Sequence, residues 1–256
     1  MKIAFLHLSY CGLPQSVNQE KLLYGMQLAS KYNVQWVLTP EMALQGYHMI
    51  REDYLWQFAS TNNGVLQPFI ETARRYEQRL FLGCAYMSDR QPHNSCVIID
   101  AKGCVCHCHH KVKVVQWTTE RWAEPGNVFA VWDLDGIKTS VMVCADLYFA
   151  EHGKNIAKQG AELVVGSVAW PEGNHGGKPR DAWRRLSAAS GGIPVLVANQ
   201  TGSLRMDFTK AESAVIVNGE VLCAYSGAEA ILILEFDEQK KSIVSKEFMV
   251  VPYGKR

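Results

Sequence analysis

Three side chains, far apart in a chain of 256 residues, have the types and settings needed for nucleophilic chemistry. Cys144 ends the apolar run in IKTSVMVCADLYFAE and precedes a polar, helix-like segment. A thiol at a strand-to-helix junction is exposed at a sheet edge. The backbone N–H groups of the next turn then face whatever it attacks, and the helix terminus favours the thiolate. Taken singly, a cysteine after Val-Met-Val is equally a core residue. Glu41, in VQWVLTPEMALQGY, also follows an apolar strand, and Pro40 holds Thr39 extended. A carboxylate in that position suits proton transfer if buried, or complements a helix dipole if not. Lys111 follows the polar strand CHCHH; beside a thiolate it would lower the cysteine's pKa and then bind an oxyanion. Its plain alternative is a solvated lysine, like Lys113. Glu120 either orients the lysine or the substrate, or is a surface acid.

These residues need a framework. The strands expected are 2–8, 34–38, 80–86, 94–100, 104–110, 129–134, 138–143, 162–167, 194–199, 213–217, 220–224 and 229–235, from their apolar and β-branched runs. Helical spacing predicts helices over 18–31, 65–78, 148–159 and 180–190. Ala101–Gly103 forms a plausible hairpin turn. The early alternation of strand and helix, followed by hairpins, indicates an α/β or α+β layered fold with mixed sheets. With no repeat, low-complexity linker or composition shift, residues 1–256 are expected to form one domain.

Composition narrows the partners. Lys and Arg number 26 and Asp and Glu 25, for a net charge of +1, so no global field selects nucleic acid or a membrane surface. About half of the chain is hydrophobic, yet no run approaches a membrane span. The N-terminal MKIAFLHLSY lacks the features of a secretory leader, so a cytoplasmic location is expected. The eight cysteines are then free thiols. CVCHCHHK (104–111) contains zinc-type ligands. Simple alternation would put Cys104, Cys106 and Cys108 on one strand face and His107 and His109 on the other, which speaks against a metal site.

In combination the motifs resemble the nitrilase superfamily, the carbon–nitrogen hydrolases. LTPEMALQGY resembles the segment around that family's catalytic Glu, including Gly46–Tyr47. NSCVIIDAKGCVCHCHHK is similar to the hairpin leading to its Lys. WTTERWAEPG resembles the stretch with its second Glu, and VCADLYFAE its nucleophile segment, with Asp146, Phe149 and Glu151 at family spacing. GAELVVGSVAWP, IPVLVANQTG and ESAVIVNGEVL are similar to later strands. The sequence departs from the pattern at Ala145, where an aromatic residue is usual, at His110, where Arg is common, and at LSAASGG (186–192), which lacks the family's Arg, Glu and Asn.

The resemblance implies a four-layer α-β-β-α sandwich of two mixed sheets flanked by helices. It implies a Glu41–Lys111–Cys144 triad supported by Glu120, an oxyanion held by Lys111 and the Ala145 N–H, and no metal or organic cofactor. Asp146 implies the amidase and carbamoylase branches, and so a small-molecule amide substrate. Tyr47, Trp170 and Arg180 are expected around the substrate; Lys178 or Arg180 would hold a substrate carboxylate, and Trp170 is equally readable as core. Homodimers or larger homo-oligomers are implied too. Nitrile hydrolysis, acyl transfer to an amine and a non-catalytic scaffold stand as alternatives.

Overall fold

The computed structural model describes residues 1–47, 57–115, 120–171 and 179–254. Two sheets form around the expected strands. In the first, β1 (Lys2–His7), β2 (Trp36–Leu38) and β3 (Arg79–Ser88) run parallel. β4 (Gln91–Ile99) and β5 (Val105–His110) continue from β3 as an antiparallel meander. In the second, β6 (Val131–Leu134) pairs antiparallel with β7 (Ile137–Val143), and β7, β8 (Leu163–Ser167) and β9 (Val195–Ala198) run parallel. The antiparallel hairpin β10 (Ser213–Val217) and β11 (Glu220–Tyr225) completes it. The chain then returns to the first sheet. There β12 (Ala230–Asp237) pairs with β1 and with two short strands the periodicity does not announce, β13 (Ser242–Ile243) and β14 (Met249–Pro252).

Strand alternation decides what packs where. Ile3, Phe5, Trp36, Leu38, Phe81 and Ile98 of the first sheet meet Val141, Val143, Leu163, Val165, Leu196 and Val215 of the second. The intervening residues Ala4, Leu6, Val37 and Leu82 face the helix α1 (Gln15–Ser30) and α2 (Gln67–Tyr76). Met142, Val164, Val195 and Val197 face α3 (Ala150–Lys158) and α4 (Pro179–Ala189). The result is the expected four-layer order, helices outside and sheets inside. Each such side chain taken from water contributes roughly 1.5–3 kcal/mol.

The helices follow their stripes. Asn18, Leu22, Met26 and Ala29 form the buried edge of α1. α2 has Pro68 in its first turn, Arg74 and Arg75 in its last, and a left-handed cap at Glu77. The segment after β7 has two parts, and the second, α3, is the helix expected over 148–159. Cys144–Tyr148 is a 3-10 turn, and α3 starts only at Ala150. A bulge also corrects the expected faces of β5. The register with β4 shifts between Ile98 and Ile99, so Cys106 packs toward the inter-sheet core while Cys108 packs toward the helix-side core. The bulge adds one residue and breaks the two-residue period. All eight cysteines are free thiols. Among the described residues no group of three or more His, Cys, Asp or Glu side chains is placed to hold a metal ion, and no helix is long and apolar enough to cross a membrane.

Candidate active site

The ends of β2, β7 and β8 converge on one edge of the sandwich. Parallel strands commonly present their C-terminal ends to ligands. Thr39 ties the first of these ends down: its hydroxyl donates to Phe81 O at 2.9 Å and accepts from Gly83 N at 2.8 Å. Ser167 at the end of β8 donates to Thr39 O at 2.9 Å. Gly83 has no side chain because a Cβ would lie 2.0 Å from Pro40 O. The chain therefore leaves β2 in one fixed direction, and Glu41 follows, 1% exposed.

Glu41 is met from three sides. Its Oε1 accepts from Lys111 Nζ at 2.8 Å and from Asn94 Nδ2 at 2.7 Å; its Oε2 accepts from Ala169 N at 3.0 Å. Lys111 also donates to Glu120 Oε1, which accepts from Asn94 Nδ2 at 3.2 Å as well. The second oxygen of Glu120 accepts from Val115 N at 3.0 Å. Lys111 is placed by its backbone: its N–H donates to Asn94 O and its carbonyl accepts from Gly126 N, both at 2.8 Å. Gly126 is required there, since a Cβ would come within 2.3 Å of His110 O.

One buried ammonium thus faces two buried carboxylates. Burial works against the Lys111 charge, but Glu41 and Glu120 outweigh it and hold the proton on well above the ordinary lysine range. Burial would raise Glu120 too, yet Lys111 holds it below its usual value. Glu41 is pushed up by burial, against the pull of Lys111, to about 7. This is the range in which a carboxyl both accepts and returns a proton at neutral pH.

Cys144 starts the 3-10 turn with φ +46°, a left-handed conformation uncommon for a side chain larger than glycine. Its thiol is desolvated and interacts with Glu41, Lys111 and Glu120 together. Burial first, then Glu41, pushes the thiol well above the ordinary value, and Lys111 offsets only part of this. This reverses the expected thiolate: helix-turn and lysine are present, but desolvation and two carboxylates outweigh them. The resting sulfur keeps its proton and needs a base. The Ala145 N–H lies in the first turn, where backbone donors have no acceptor within the helix.

Asp146 fixes that turn. Its Oδ1 accepts from Val112 N at 3.1 Å and Lys113 N at 2.8 Å; its Oδ2 accepts from Val143 N at 3.0 Å and pairs with His109 Nε2 at 2.9 Å. Burial alone would raise this carboxyl, but His109 and the backbone donors hold it below its usual range. The same side chain therefore ties the segment after Lys111 to the turn carrying Cys144.

Tyr47 is placed beside the cluster. Burial, then Glu41 and Glu120, hold its phenol well above the ordinary value, and its ring packs edge-on against Phe208 at 6.5 Å. Trp170 lies in the helix-side core of the second sheet, 7% exposed, near Tyr148 and Trp183. Its backbone N–H and carbonyl are both bonded by the Asn199 amide, at 3.2 and 3.0 Å. Arg180, half exposed on α4, forks onto Glu212. Lys178, with 172–177 and the Trp117–Thr119 part of the Glu120 motif, lies outside the described residues. Asn94 and the His109–Asp146 pair are functional contacts that motif reading does not assign. Asn94 opens the NSCVIID segment and His109 lies in the polar CHCHH strand, but neither setting names its partner.

The chain is similar to known proteins over most of its length. The carbon–nitrogen hydrolase family matches residues 8–241. The chain is 27% identical over 244 residues to the 2-oxoglutaramate amidase of Bacillus subtilis, covering 92% of this chain and 90% of that protein. It is 25% identical over 212 residues to the citrullinase of Francisella tularensis, covering 78% and 74%. Among solved structures, the NitN amidase of Nesterenkonia sp. AN1 superposes with a TM-score of 0.81 at 22% identity, covering 94% of each chain.

Proposed function

The chain belongs to the carbon–nitrogen hydrolase family, the nitrilase superfamily, and from that premise we propose that it hydrolyses a small non-peptide amide or N-carbamoyl bond through a thioester on Cys144. The observation that carries this reading is the Lys111 ammonium bonded to both Glu41 and Glu120 beside the Cys144 thiol.

In the first half, Glu41 takes the thiol proton as Sγ bonds to the carbonyl carbon. Charge develops on the carbonyl oxygen, where Lys111 Nζ and the Ala145 N–H stabilise it; preorganised donors of this kind contribute about 3–4 kcal/mol each. The carbon–nitrogen bond breaks as Glu41 returns the proton to the leaving nitrogen. In the second half, water gives its proton to Glu41 and attacks the thioester carbon. The acid leaves and the thiol regains its proton. Glu120 stays ionised and anchors Lys111. Two relatives named for amide or ureido substrates, 2-oxoglutaramate amidase and citrullinase, support the amide reading, and relatives named nitrilase are the reason nitriles belong in the test below. Tyr47 is the side chain best placed to line the acyl pocket. Arg180 would meet a substrate carboxylate only by exchanging Glu212 for it. Assembly as a homodimer belongs to the same proposal and is measurable by sedimentation.

The test is mass spectrometry of the protein incubated with a panel of amides, N-carbamoyl compounds and nitriles. An acyl adduct on the Cys144 peptide is expected, absent in Cys144→Ala, whose turnover drops by about four orders of magnitude or more while its circular dichroism is unchanged. Undiminished turnover by Cys144→Ala removes the nucleophile assignment. Equal yields of ammonia and acid indicate hydrolysis; ammonia without acid indicates transfer to an amine.

A further inference from the structure

Asn94 belongs to β4 and is fully buried. Its side-chain nitrogen donates to Oε1 of Glu41 and to Oε1 of Glu120, the same two oxygens that Lys111 Nζ engages. Two acceptors and two donors thus alternate around a closed ring. The backbone of Asn94 holds the ring as well, since its carbonyl accepts the Lys111 N–H at 2.8 Å.

The amide orientation is set by charge. Rotating it would aim Oδ1 at two carboxylates. In the orientation adopted, Oδ1 is buried without a hydrogen-bond partner among the described residues. A buried acceptor left unpaired is costly, and the donor opposite it must outweigh that cost.

Resting on the function proposed above, we propose that Asn94 is a positioning residue for proton transfer: its amide spans Glu41 and Glu120 and favours the state in which both face the Lys111 ammonium as carboxylates. The physical argument is donor scarcity. Two buried carboxylates at one ammonium repel each other, and a neutral N–H shared between them stabilises the doubly ionised state. The groups facing Glu41 are Lys111 after β5, Glu120 beyond it, Cys144 after β7 and Tyr47 from its own segment. Among the described residues only Lys111 is cationic. The backbone donor of Ala169 serves the other oxygen of Glu41. Removing the Asn94 donor therefore makes Glu41 harder to ionise and, among the described residues, leaves Lys111 as the one side-chain donor on its Oε1.

The experiment follows alkylation of the full-length protein by iodoacetamide across pH, with the Cys144 peptide quantified by mass spectrometry. The rate at Cys144 in the wild-type chain is expected to rise through one inflection. Asn94→Leu keeps the branching at Cγ, with a larger side chain, but cannot donate. Its inflection is expected about one pH unit higher, a roughly tenfold lower rate on the acid side, with the alkaline plateau within about threefold of wild type. Asn94→Asp, the same shape with an acceptor for a donor, is expected to shift at least as far. In a Glu120→Gln background, where the repulsion is gone, the shift on Asn94→Leu should shrink. An unmoved inflection in whichever Asn94 variant folds, or a loss equal at every pH, overturns the inference, because a merely structural role lowers the rate without moving the inflection. A wild-type Cys144 that is not alkylated at any pH, while the exposed Cys104 is, would instead defeat the underlying functional reading.

Discussion

The Glu41 and Asp146 clusters are built from similar parts, and the proton behaves oppositely in each. Both carboxylates are buried, and both neighbour a basic side chain on or just after β5, Lys111 in one case and His109 in the other. Asp146 has four donors to itself: three backbone N–H groups and His109. Glu41 shares Lys111 and Asn94 with Glu120, and among the described residues only the Ala169 N–H is its own. Asp146 accordingly stays below the ordinary carboxyl range and Glu41 rises above it. A surplus of donors makes a brace, and a shortage makes a base.

Linkage gives the two clusters opposite signs with pH. Asp146 is depressed in the fold, so its stabilisation is present above its unfolded value and is lost as pH falls through the folded one. Glu41 is raised, so the folded state holds its proton where the unfolded chain has lost it. Its contribution diminishes as pH climbs from the ordinary carboxyl range to about 7.

The most severe way to break the comparison is Lys111→Met. It leaves Glu41 and Glu120 facing each other without a cation. A stability loss of about 3–5 kcal/mol in urea titration is expected, with kcat reduced by about a thousandfold or more. A variant that melts like wild type would show that the carboxylates are not both charged in the fold. Asp146→Asn sharpens the contrast. It keeps the shape and removes the charge from the brace, at an expected cost of about 1–3 kcal/mol. Wild-type kcat/KM should rise with pH through about 7, as Glu41 becomes the carboxylate. Asp146→Asn should lower the whole profile by roughly ten- to a hundredfold without moving its inflection; a moved inflection would make Asp146 part of the base. The smallest effect is expected from Arg180→Ala. Its pair with Glu212 is half exposed and contributes under about 1 kcal/mol. Turnover of uncharged amides should stay within about twofold, with any larger loss confined to carboxylate-bearing amides. A substantial loss on neutral amides would place Arg180 closer to the chemistry.

Much of this architecture is legible from residue order. Period-two alternation in KIAFLH and IKTSVMV assigns each side chain to the inter-sheet or the helix-side core, and the structure distributes them that way. The strand-end settings of Glu41 and Cys144 point to the right edge. Other features depend on what meets in space. The β5 bulge arises from register against β4, and nothing in CVCHCHHK marks it. Asn94 sits in the polar first half of β4, and its contacts with Glu41 and Glu120 come from where that strand passes, which the local sequence does not mark. The raised thiol pKa follows from burial and net charge, neither of which the local sequence of Cys144 contains. β13 and β14 are short and borrow their order from β12.

Glu41 hangs from one sheet and Cys144 from the other, with the apolar layer of Phe5, Leu38, Val143 and Val165 between those sheets. Neither half of the molecule owns the reaction. A slip of one sheet over the other would part proton acceptor from sulfur even with every strand still paired. Turnover is thus a gauge of that interlayer seal, and is expected to fade on heating with the near-ultraviolet dichroism of Trp36 and Phe81, ahead of the far-ultraviolet signal of the strands.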